Sequence, residues 1–179
     1  MISIKDVLDV SYTYGQINRH ITTLYFLVTQ TSGPIVELGV QNCNSTIALL
    51  FAAQKYNRSL FSIDLELSNR IKDLSEEPNW YFLLGDDREI VKRWEHKIGF
   101  IFYDSEQTKE HVRFSLEHWT PFLLKSGIMA FHDTFELSGN PNPNLLEPLK
   151  EFVKENDDKF SFINYEQGSG LGILFRKGN

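Results

Sequence analysis

Pro34-Ile35-Val36-Glu37-Leu38-Gly39-Val40-Gln41-Asn42-Cys43-Asn44-Ser45-Thr46 decides the fold. Pro34 to Leu38 is a short apolar run with one acid, the pattern of a buried strand, and Ser45 to Tyr56 has the spacing of a helix. A strand, a tight turn and a helix in that order open a βαβ unit. Gly39 stands where the backbone must come close to a ligand. Asn44 adopts positive φ more easily than most residues, and Ser45 or Thr46 can cap the helix. A dinucleotide turn would read G-x-G-x-x-G, and two of those three glycines are missing. Glu37 beside the turn suits a cationic ligand better than a diphosphate. The same residues also fit a plain strand-to-helix turn with a surface acid.

Working outward, short apolar runs alternate with longer amphipathic ones. Strands are expected at Ser59–Asp64, Trp80–Leu84, Ile98–Tyr103 and Gly127–Phe131. Helices are expected from Gly85-Asp86-Asp87 to about Trp94 and from about Thr108 to Leu124, the second with Val112, Leu116, Trp119 and Leu123 on one face. Phe135 to Asn144 reads as a loop over the site, followed by a helix from about Leu145 to Glu155. Phe160–Asn164 and Gly172–Phe175, joined by Gln167-Gly168-Ser169-Gly170, read as an antiparallel hairpin. Ile17 to Val28 reads as an amphipathic helix packed outside the core. The expectation is one domain over 1–179, with a helical segment at 1–32 and a Rossmann-like α/β core at 33–179.

Composition narrows the function. The chain has 179 residues, a net charge of −6 and 41% hydrophobic residues, an ordinary globular balance. An acidic chain without a basic stripe argues against nucleic acid and anionic membranes as partners. No apolar run approaches the ~20 residues of a bilayer span, and Met1 to Asp6 lacks the pattern of a signal peptide. The lone Cys43 allows no disulfide framework and, with no histidine beside it in sequence, reads as a packing residue. A cytoplasmic setting is expected.

In open α/β sheets ligands bind beyond the carboxyl ends of the strands. An acid stands at or just beyond four of these ends: Glu37, Asp64, Asp86 and Asp104; His132-Asp133 closes the fifth. Asp64 has the offset at which an acid binds ribose hydroxyls, although each acid also fits a helix cap. Asp104, Glu106, His132 and Asp133 can converge, because neighbouring strand ends lie ~5 Å apart. Carboxylates there suit a hard cation such as Mg2+, with His132 taking or relaying a proton from a substrate hydroxyl. Local capping and loop hydrogen bonds remain the alternative. His20, His96, His111 and His118 show no partner pattern and read as surface or packing residues. No G-x-S-x-G elbow and no P-loop is present.

With these residues in view the chain resembles the class I S-adenosylmethionine-dependent methyltransferases. It is most similar to the small group around catechol O-methyltransferase, macrocin-type sugar O-methyltransferases and cephalosporin-hydroxylase-like proteins. The resemblance runs from Pro34 to Thr134. It rests on Val36-Glu37-Leu38-Gly39 with Ser45-Thr46, Ser62-Ile63-Asp64, Gly85-Asp86, Ile101-Phe102-Tyr103-Asp104, Trp119 to Gly127, and Phe131-His132-Asp133-Thr134. It implies a Rossmann-like three-layer α/β/α sandwich, with a seven-stranded, mostly parallel sheet ending in an antiparallel hairpin.

The implied cofactor is S-adenosyl-L-methionine, with Glu37, Gly39, Asn44 and Ser45 around its methionine part, Asp64 at the ribose and Asp86 near the adenine. The implied metal ligands are Asp104 and Asp133, with Asp104 and His132 in catalytic roles. Asn44 replaces the glycine usual near the end of the first motif. Ser105-Glu106-Gln107-Thr108-Lys109 stands where Gly-Asp-His-x-Tyr is frequent. The expected function is O-methylation of a small hydroxylated acceptor, a sugar or a natural-product intermediate, with divalent-metal assistance. The alternative is a non-catalytic or regulatory cofactor-binding domain; a nicotinamide dehydrogenase fits poorly without the glycines. An apolar N-terminal helix could pair two chains as a homodimer.

Overall fold

The computed structural model describes residues 1–13, 15–136 and 139–178. Its strands are β1 (Ile35–Leu38), β2 (Leu60–Asp64), β3 (Trp80–Leu84), β4 (Ile98–Tyr103), β5 (Leu123–His132), β6 (Phe160–Tyr165) and β7 (Leu171–Arg176). They form one sheet in the order β3-β2-β1-β4-β5-β7-β6. The first five are mutually parallel, and β7 runs antiparallel to both β5 and β6. The helices are α1 (Ile4–Tyr12), α2 (Ile21–Thr29), α3 (Asn44–Lys55), α4 (Asn69–Leu74), α5 (Asp87–Ile90), α6 (Lys109–Trp119) and α7 (Pro143–Glu155).

Strand period two sorts the core into two layers. Ile35, Phe100, Phe102, Ile128 and Ala130 face one side, where they pack with Val7 of α1, Ile21, Leu24 and Val28 of α2, and Ile47 and Leu50 of α3. Val36, Leu38, Ile101, Tyr103, Met129 and Phe131 face the other, against Val112, Leu116 and Trp119 of α6 and Leu145 and Leu149 of α7. Burial on both faces is why the central strands read as continuous apolar runs. The result is the Rossmann-like α/β/α sandwich with its antiparallel C-terminal pair.

Four expectations are corrected. Ile17–Val28 is not one helix outside the core: a 3-10 turn, Ile17–His20, leads into α2, and Ile21, Leu24 and Val28 are fully buried. The inner face of that segment is covered within the chain, while Ile4, Leu8 and Tyr12 of α1 and Phe26 of α2 stay exposed. α1 and α4 have no counterpart in the sequence reading; Ser3 and Ser68 cap them through their side chains. The helix expected to run to Leu124 stops at Trp119, because Pro121 follows in a 3-10 turn. β5 accordingly starts at Leu123, four residues before the expected strand. No helix among the described residues is long and apolar enough to cross a membrane.

Candidate functional site

Strand order reverses between β1 and β4, so the turns after these strands flank a crevice. Gly39 has φ 88°, and a Cβ there would lie 2.1 Å from the Asp104 carbonyl oxygen. Only glycine lets the two turns touch. The other left-handed residues of the first turn are Gln41 and Cys43. Asn44, expected to take positive φ, is instead the first residue of α3, and Cys43 is its N-cap without a side-chain bond.

Ser45 and Thr46 do not cap the helix either. The Ser45 hydroxyl donates to Glu37 Oε1 at 2.6 Å, Thr46 Oγ1 lies 3.0–3.1 Å from both Glu37 oxygens, and Ser62 donates to Oε2 at 2.6 Å. Trp80 Nε1 completes the network by donating to Ser62 Oγ at 2.9 Å. Glu37 is fully buried. Burial pushes its carboxyl up to about 7, against the three hydroxyl donors that favour the anion. Glu37 and Ser45, both expected at the ligand, bond to each other beneath the turn.

Asp64 holds the same turn from the side, its Oδ2 accepting from the Val40 and Gln41 amides at 2.8 and 3.0 Å. With Gly39, Asp86, Asp104 and His111 it lines a cleft of about 230 Å3. Asp86 caps α5 and pairs with Arg88 at 2.8 Å. The Arg88 hydrogen bonds hold its carboxyl down at about 2. His111 corrects the sequence reading. It is buried, with Nε2 2.8 Å from Asp87 and Nδ1 3.3 Å from Glu106. Burial works against its imidazolium, but the hydrogen bond and charge of Asp87, with Glu106 behind, raise it above its ordinary value. Glu106 therefore serves His111 rather than joining the second cluster.

That cluster is Asp104, His132 and Asp133. Nδ1 of His132 lies 3.2 Å from Asp104 Oδ1 and 3.3 Å from Asp133 Oδ1. Nε2 of the same ring is 2.9 Å from Ser169 Oγ in the turn between β6 and β7. Asp133 sits at φ 56°, and its Oδ2 accepts from Gln107 Nε2 at 2.7 Å. Its Oδ1 is buried and, beyond the His132 Nδ1 at 3.3 Å, meets no donor among the described residues.

One atom from each of the three residues lies within 4.8 Å of the others. Two carboxylates, an imidazole nitrogen and an oxygen short of a donor fit a divalent cation. A second-sphere hydroxyl that fixes the histidine's orientation fits it too. Burial disfavours the His132 imidazolium, but Asp104 and Asp133 outweigh it and raise His132 above its ordinary value.

His20 was expected as a surface or packing residue. It is buried, and its ring stands edge-on to that of His132 with centroids 6.0 Å apart. Burial, with His132 beside it, lowers His20 to about 4. Its proximity to the cluster has no sequence signal, since the two histidines are far apart along the chain. His96 and His118 are exposed, as expected.

No curated protein matches the chain by sequence. Among solved structures it is similar to CalS11, a TDP-rhamnose 3'-O-methyltransferase of calicheamicin biosynthesis, with 17% identity, a TM-score of 0.67, and 98% of this chain and 80% of that one covered. It is similar to the SAH-bound Podospora anserina methyltransferase PaMTH1, with 14% identity, a TM-score of 0.65, and 97% and 87% covered. A third is MycE of the mycinamycin pathway, solved with Mg, SAH and mycinamycin VI, with 15% identity, a TM-score of 0.66, and 96% and 54% covered. At these identities the likeness is one of fold. The family described as "Methyltransferase domain" matches residues 36–134, more than half of the chain. The chain belongs to this methyltransferase-domain family.

Proposed function

We propose that the chain is an S-adenosylmethionine-dependent O-methyltransferase of a small hydroxylated acceptor, a sugar or natural-product intermediate, assisted by a divalent cation such as Mg2+. One observation carries the reading: Asp104 belongs to both the cleft at Gly39 and the cluster with His132 and Asp133. A methyl donor in the cleft and an oxygen at the cluster would meet across that carboxylate. PaMTH1 and MycE hold SAH, MycE holds Mg, and CalS11 acts on a sugar. The same fold thus houses this cofactor, this metal and this acceptor class elsewhere.

In this reading the turn at Gly39, with Asp64 and Asp86, seats the cofactor, whose sulfonium charge the surrounding acids favour. Asp104, Asp133 and His132 would hold the cation, which lowers the pKa of an acceptor hydroxyl. Both nitrogens of His132 are engaged, one toward the carboxylates and one toward Ser169. Its part is therefore to hold and orient, in place of the proton transfer expected from sequence. Gln107 fixes Asp133. The cofactor would supply the methyl group to the acceptor oxygen and leave as the thioether, and Asp104 and Asp133, each partly open to solvent, would let the hydroxyl proton pass to water. Alignment of donor and acceptor supplies most of the rate.

Calorimetry with S-adenosylmethionine tests the cofactor, and no binding at millimolar concentration would sink it. A homocysteine-release assay over sugars and polyphenols, with Mg2+ or chelator, tests the rest. Chelator and Asp133→Ala should each lower turnover by roughly a hundredfold, the upper end of the effect of losing even an outer-sphere partner of a metal. Turnover indifferent to both would remove the cation from the mechanism.

A further inference from the structure

We propose that His20 is an acceptor-binding residue, its Nε2 taking a hydroxyl of the acceptor beside the one held at the Asp104–His132–Asp133 cluster. The inference rests on the function proposed above and adds a specificity determinant to it. His20 closes the 3-10 turn Ile17–His20 and is 5% exposed. Its Nε2 is buried and makes no well-formed hydrogen bond among the described residues, with the Gln167 backbone facing the ring. A buried polar atom left unpaired is destabilising, and native structures rarely keep one without use. For packing alone an apolar ring would serve better.

The β6–β7 turn packs directly against this nitrogen. Gly168 in that turn has φ 67°, and a Cβ there would touch Nε2 at 3.4 Å and the Arg19 side chain at 3.3 Å, so the bare backbone lies close to the ring. The neighbouring Ser169 is the residue that holds His132. One turn therefore frames both histidines, one facing the cluster and the other unsatisfied. The Gln16 backbone also faces the His132 ring, so the segment before α2 forms a wall of the site. A neutral imidazole nitrogen can donate or accept according to tautomer, and a hydroxyl can do either in return. An acceptor with adjacent hydroxyls fits: some at the cluster, a further one at His20.

The test compares catechol with pyrogallol, which adds a third adjacent hydroxyl, by calorimetry on protein loaded with SAH and MgCl2. Wild type should bind pyrogallol about tenfold more tightly, the worth of one hydrogen bond to a buried group. His20→Phe should abolish that preference while leaving S-adenosylmethionine affinity unchanged. Equal affinities in wild type, or a preference that survives in His20→Phe, overturns the assignment. Binding of neither compound by wild type overturns the assignment alone; the underlying cation-assisted reading falls separately, if turnover is indifferent to chelator and to Asp133→Ala. If His20→Phe loses cofactor binding through misfolding, His20→Leu carries the comparison with the same outcomes.

Discussion

Replacing Glu37 by glutamine perturbs the support under the first turn without changing its shape. Glu37 is fully buried and its carboxyl is pushed from 4.5 up to about 7. The folded protein therefore holds a proton that the unfolded chain has released between these values. Stability from this residue is fully present below the unfolded value and is lost as pH rises through the folded one. At 1.36 kcal/mol per pH unit, the part falling between pH 5 and pH 8 is about 2–3 kcal/mol. Glutamine is neutral throughout, so this loss is absent from the variant.

The assay is urea unfolding of both proteins at pH 5, 6, 7 and 8. Every other group titrates in both proteins and cancels in the difference. The variant should gain on wild type by about 2–3 kcal/mol across the range, most of it between pH 5 and 7. Its absolute position depends on how Ser45, Thr46 and Ser62 rearrange around the amide; the slope does not. Parallel curves would refute the reasoning and show Glu37 ionised in the folded state throughout.

Gly39→Ala should destabilise by about 3 kcal/mol or more, combining backbone strain with the clash against the Asp104 carbonyl; the melting temperature should fall by roughly 6–12 °C. Asp87→Asn removes the partner of the buried His111. The stabilisation it takes away is full below the ordinary histidine value near 6.5 and disappears as pH rises through the raised folded value. Urea unfolding should thus show a larger loss at pH 6 than at pH 9. Arg58 donates through Nη1 to the Val28 and Thr31 carbonyls at 2.8 and 3.2 Å, and through Nε to the Gly33 carbonyl, tying the end of α2 to β1. Arg58→Ala should cost about 2–3 kcal/mol, while Lys5→Ala, whose pair with Asp9 is exposed, should stay within about 0.5 kcal/mol in the same denaturation series.

The strands were legible because burial on both faces leaves a local mark, four to six apolar residues bounded by turns. The hairpin was legible from Gly168 and Gly170. α4 was not, since a helix of six residues is too short for a period to show. Nor was the start of β5, where apolar positions continued the helical spacing past Pro121. That Asp64, Asp86, Asp104, His132 and Asp133 gather along one end of the sheet was legible because each stands at or just beyond a strand end, and parallel pairing brings such ends together. His111 was missed because its partner Asp87 lies 24 residues away, and neither residue carries a mark of burial.

The sequence by itself determined the succession of the strands, the glycine at the crossing of two turns, and the row of acids along one end of the sheet. These follow from local rules: period, turn chemistry and the direction of a parallel strand. Only the tertiary structure decided what each acid does. Glu37 and Asp104 both end strands, yet one is sealed under three hydroxyls and the other opens onto a cleft and a cation-shaped cluster. Solvation and hydrogen bonding set a carboxylate's role, and both come from side chains eight, nine and 25 positions from Glu37. For His20 the deciding neighbours lie at the far end of the chain, and only packing brings them to it.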